Sequence, residues 1–113
     1  MKIKYAIKRK LEDVERFFRR NIFRITHGYN YEDCWNLDHA AAKWLLPRLR
    51  HMRKNHYGYP GMITNEEWEE ILDKMILAFE LIIEDDSWGD TEKENAIDEG
   101  LDLFREYFRA LWD

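Results

Sequence analysis

The stretch TNEEWEEILDKMILAFELIIED, Thr64 to Asp85, decides the fold. Thr64 with Glu67 three residues on is a capping box, and early carboxylates suit the positive end of a helix dipole. Trp68, Ile71, Leu72, Met75, Ile76, Phe79 and Ile83 then recur at helical spacing and make one broad apolar stripe. "DDSWGD" ends the run with turn-forming residues. This is a helix that must bury one face against something.

What it packs on follows from its neighbours. A second box, Thr91 with Glu94, opens a helix with the stripe Ile97, Leu101, Phe104, Phe108 and Leu111. The short connection predicts an αα-hairpin. Upstream, the loop "HYGYPGMIT" separates the hairpin from a helix expected from about Asn30, with Asn30 as its cap, to Asn55. Pro47 should kink that helix or break it in two. A first helix, roughly Ile7 to Ile25, carries Ile7, Leu11, Val14, Phe18, Ile22 and Ile25 on one face and Arg/Lys on the other; Gly28 ends it. No strand pattern is present. The expectation is all-α: a small antiparallel bundle of about four helices in one domain, 1–113. Residues 1–26 are expected to form a basic amphipathic helix that faces a partner, and 29–113 the bundle core.

Composition narrows the functional classes. The chain has 113 residues, net charge −5 and 15% aromatic residues, so one core is affordable without disulfides. Cys34 is the single cysteine, which excludes an internal bridge and suits a reducing compartment; beside Trp35 it is expected to be buried. The start "MKIKYAIKRKL" lacks the apolar core of a signal peptide, and "MILAFELII" is too short to span a bilayer. Charge is unevenly spread. Residues 1–26 hold nine Lys/Arg against three Asp/Glu, and residues 64–113 hold four against seventeen. The basic arm invites nucleic acid and the acidic half a basic partner, although the two halves can also attract each other.

Asp38 stands out in "NLDHAAAKWLLPRLRH". On a helical wheel it lies about 20° from Leu45, inside the expected buried stripe, with His39 at the stripe's edge about 120° away. A buried carboxylate needs a partner. Asp38 is therefore expected to accept a hydrogen bond in the core, the alternative being that Ala40–Ala42 line a pocket in which Asp38 and His39 hold a ligand. Glu70 with Asp73 and Glu99 with Asp102 resemble in outline the paired carboxylates with which all-α nucleotide pyrophosphohydrolases of the MazG type bind Mg²⁺. Their wheel positions, about 130–170° from the core direction, argue for a solvated face instead. The four histidines lack metal spacing, and neither a nucleophilic triad nor a phosphate loop is present. No metal or cofactor is expected.

Surfaces remain. The first helix interleaves Phe17, Phe18 and Phe23 with Arg16, Arg19, Arg20 and Arg24. Phe18 is needed for the core, leaving Phe17 and Phe23 as aromatic-plus-arginine contacts of the kind that anchor interfaces or stack on bases. Tyr57, Tyr59 and Trp88 are loop aromatics of the same character.

Three blocks, "YNYEDCWNLDHAAAKWLLPRL", "GYPGMITNEEWEEILDKMILAFE" and "DEGLDLFREYFRALWD", resemble a group of small proteins carried by tailed bacteriophages and prophages. W-x-L-D-x-x-x-A-K, L-P-R-L, G-Y-P, E-E-W-x-x-I-L-D-K-M and E-G-L-x-L-F occur there in the same order. The match runs from about residue 29 to residue 113 and leaves the basic first helix outside. It implies a phage accessory protein acting in the bacterial cytoplasm, and assigns no activity or site residue. The expected function is non-catalytic: binding a host protein, such as a defence or replication component, with self-association through the first helix. The alternatives are a nucleotide-binding protein, whether a signal-sequestering one or the Mg²⁺-dependent pyrophosphohydrolase, and a nucleic-acid binder using Arg16, Arg19 and Arg20.

Overall fold

Caps and glycines set the helix limits. The computed structural model describes residues 2–112, and all its regular elements are helical: α1 (Lys2–His27), a 3₁₀ turn (Tyr31–Cys34), α2 (Leu37–Asn55), α3 (Asn65–Glu84), α4 (Thr91–Tyr107) and a closing 3₁₀ turn (Phe108–Ala110). Where one domain was expected, the chain divides into two compact units, residues 1–37 and 38–113.

The first unit is α1 with a fold-back. Gly28, at φ 80°, ends the helix with its N–H on the Arg24 carbonyl, a conformation that glycine adopts without strain. The chain then returns along α1. Arg20 donates to Glu32 at 2.7 Å. Phe23 stacks on His27 with centroids 4.0 Å apart and meets Tyr29 and Tyr31 edge-on. No residue of α1 is buried, so Phe18 does not serve a core as expected, and Cys34 is exposed rather than buried. Asn30 does not cap α2. Its backbone carbonyl opens the 3₁₀ turn, its side chain caps nothing, and its Oδ1 is enclosed without a partner.

In the second unit, α2 and α3 supply the buried core, Ala42, Leu46, Leu49, Trp68, Leu72, Met75 and Phe79, and Leu103, Phe104 and Tyr107 of α4 pack against it. α2 begins at Leu37 rather than Asn30 and runs unbroken through Pro47. Proline lacks the N–H that would reach the Lys43 carbonyl, but both residues are exposed, so water can satisfy that oxygen. Ion pairs latch α2 to α3 in antiparallel order, Arg50 to Glu80 and Arg53 to Glu69 and Asp73. The hydrogen bond to Asp73 is the main reason the Arg53 guanidinium sits above its ordinary pKa.

Thr64 caps α3 as the box predicts: its Oγ1 accepts from the Glu67 N–H at 3.1 Å. α4 is capped one residue earlier than expected, by Asp90, whose Oδ1 accepts from the Lys93 N–H at 3.1 Å. A carboxylate at this place satisfies an orphan donor and also meets the helix dipole, and Thr91 becomes the first helical residue. Phe79 meets Phe104 edge-on, Trp68 meets Tyr107, and Lys74 bridges to Glu99 at 2.8 Å. Gly100 permits the closest approach. A Cβ there would overlap the Ala78 methyl and stand 2.5 Å from the Lys74 carbonyl oxygen.

Candidate functional site

The connection between α3 and α4 is short and fully punctuated. Asp85, the C-cap of α3, takes the left-handed conformation at φ 55° and ψ 37°, donating its N–H to the Leu81 carbonyl at 3.2 Å. The N–H of Asp90 closes a turn onto the Ser87 carbonyl at 2.9 Å. Lys93 reaches back from α4 to Asp86 at 2.9 Å, and this hydrogen bond holds its ammonium above the ordinary lysine pKa. Trp88 is thus carried on a pinned turn although 88% of its surface is exposed. Holding a large apolar ring in water is costly, and nothing in the turn's geometry demands it.

Beside this turn lies the first helical turn of α2. Together they form an open cleft of about 200 Å³ within the second unit. Leu81, Ile82 and Ile97 give it an apolar floor; Asp38, Asp85 and Glu94 give it three carboxylates; His39, Ser87 and Trp88 complete the lining. No lysine or arginine contributes. Such a recess, apolar beneath, acidic around and aromatic at one side, suits a cationic side chain with an aliphatic stem.

Asp38 is therefore not the enclosed core carboxylate the wheel predicts: it is exposed. Its angular position is right, about 40° from Ala42. Its height is wrong, since Ala42, one turn along, is the first α2 residue in the core. Asp38, His39 and Trp88, three of the expected binding residues, come together in this cleft. Asp85 and Glu94 were missed, although each stands where the sequence marks a helix end.

The remaining candidates disperse. Tyr59 lines a second recess of about 150 Å³ with Gly58, Pro60, Ala110 and Trp112. Tyr57 is exposed in the same loop. On α1, Arg16 approaches Asp13, Arg19 pairs with Glu15 and Arg20 with Glu32, so these cations are partly neutralised within their own unit. Phe17 is exposed, whereas Phe23, expected to be a leftover contact, is occupied by His27, Tyr29 and Tyr31. Glu70 and Glu99 both face Lys74, at 3.6 and 2.8 Å, Asp73 is taken by Arg53, and Asp102 is exposed. Among the described residues no group of three or more His, Cys, Asp or Glu is arranged to hold a metal ion. The same residues contain no helix long and apolar enough to cross a membrane. No family model matches the chain, and no curated protein or solved structure is significantly similar to it.

Proposed function

We propose that this chain is a phage accessory protein that acts without catalysis, by binding a host protein in the bacterial cytoplasm, and that the partner docks a basic side chain into the Trp88 cleft. The observation that carries this reading is the meeting of Asp38, His39 and Trp88 with Asp85 and Glu94 over an apolar floor. An exposed tryptophan beside carboxylates is the composition of an interface hot spot awaiting an arginine or lysine. The acidic balance of residues 64–113 supports it further, by steering a basic surface toward this end of the hairpin.

The test is affinity capture from bacterial extract with three versions of the full chain: unaltered, Trp88→Ala, and Asp38→Lys with Glu94→Lys. The expected result is one host protein retained by the unaltered chain at stoichiometric yield and lost with both variants. Retention by both variants, or capture of nothing specific, overturns the reading.

A further inference from the structure

The fold-back of the first unit covers only one side of α1, and the side it leaves open has a regular pattern. Taking α1 in heptads, Leu11, Phe18 and Ile25 fall at the first seam position and Ile7, Val14 and Asn21 at the second. Lys4 stands at the first seam position of the opening heptad, the one charged residue in the row. Every apolar member is at least half exposed, from 50% for Val14 to 80% for Ile25. Phe23, around which His27, Tyr29 and Tyr31 gather, occupies the position directly opposite the seam. Arg20, which holds Glu32, lies on the same outer side.

We infer that this seam is covered by α1 of a second copy of the chain, in a parallel, in-register coiled coil. The residues flanking the seam choose both partner and direction. In a parallel pair, Lys10 faces Glu15 of the other copy, and Phe17 faces Ile22, so one ion pair and one apolar contact form on each side. Glu15, which also reaches Arg19 of its own helix, stays on the flank. In an antiparallel pair, Lys10 would instead face Arg24 and Glu15 would face Glu15, setting like charges together. Asn21 agrees. Parallel chains set it opposite its own copy, polar against polar, its amide held by the Phe17 carbonyl and Arg24 of the same helix, whereas antiparallel chains set it against Leu11.

The seam's five apolar residues and the flanking Phe17 and Ile22 are all at least half exposed, a contiguous apolar face open to burial against another copy. A 26-residue helix with no buried residue also needs such cover, because isolated helices gain most of their stability from packing an amphipathic face. The inference stands apart from the cleft and from the proposed host partner.

Sedimentation equilibrium of the full chain tests it, with a dimer of 13.9 kDa copies expected. Phe18→Glu should give a monomer. Lys10→Glu should raise the dimer dissociation constant about tenfold, and Lys10→Glu with Glu15→Lys should restore it, because two flanking pairs reverse sign and then recover. Asn21→Cys in a Cys34→Ser background should form a disulfide-linked dimer on mild oxidation. A monomer at all concentrations, or a dimer indifferent to Phe18→Glu, overturns the proposal. So does a dimer tightened by Lys10→Glu, or one in which Asn21→Cys links only to Leu11→Cys, since both mark antiparallel chains.

Discussion

Gly100 shows what one missing methyl group does. The residue is buried where α4 crosses α3, and a Cβ would strike the Ala78 methyl and the Lys74 carbonyl, one of them backbone. Alanine is the better helix former by about 1 kcal/mol, yet overpacking costs about 1–3 kcal/mol and the backbone atom cannot rotate aside. Gly100→Ala is expected to lower stability by up to about 2 kcal/mol in urea denaturation, the balance of those two effects. A rise would show that the helices can part at little cost. Asp38 makes the opposite case. Its side chain is exposed, so Asp38→Asn should leave stability within about 0.5 kcal/mol of the unaltered chain. A loss of about 3 kcal/mol would restore the carboxylate to the core. Periodicity named its direction correctly. It said nothing of how far along the helix the core extends, because a wheel projects away the helix axis.

At the scale of an element, helix starts were legible where a side chain caps and ambiguous where two candidates adjoin. Thr64 is the cap that the spacing predicts, whereas at α4 the spacing predicts Thr91 and the neighbouring carboxylate of Asp90 takes the cap instead. Asp90→Ala should therefore cost about 1 kcal/mol, and Thr91→Ala markedly less, by thermal denaturation. Equal losses would mean that the two share the cap. The hairpin also carries a pH signature. Lys74 is raised above its ordinary 10.5, first by its hydrogen bond to Glu99 and then by the charge of Glu99. A cation whose folded pKa is raised confers stability that is complete below its unfolded pKa and is lost as pH climbs through the folded one. The midpoint of denaturation should thus hold up to pH 10.5 and fall above it, and Lys74→Met should flatten part of that fall. An unchanged profile for the variant would assign the alkaline loss elsewhere.

At the scale of the molecule, every buried hydrophobic residue among those described, Ala42 to Leu81, belongs to the second unit. A fragment of residues 38–113 is expected to fold alone, with a cooperative thermal transition in circular dichroism. A fragment without such a transition would show that the first 37 residues complete the core. The all-α class was legible because stripes, caps and turn residues agreed over α3 and α4. The division into two units was not. Amphipathicity states that a helix face requires cover and is silent about which surface provides it, so the α1 stripe reads the same whether it meets its own chain or another. The cleft was half visible for a related reason. Trp88, Asp38 and His39 are conspicuous because they break a pattern, while Asp85 and Glu94 pass as ordinary helix-end residues until the fold brings them to the same cleft.

The contact of Gly100 with the backbone of α3 also bears on how recognition at the far end would feel to a ligand. Helices that touch main chain to main chain cannot slip past one another by the ångström or so that side chains usually allow. Ile97 and Glu94 lie one and two turns beyond that pivot, so one wall of the recess inherits its stiffness. On that wall a guest would meet a mould already set, asking little rearrangement of it.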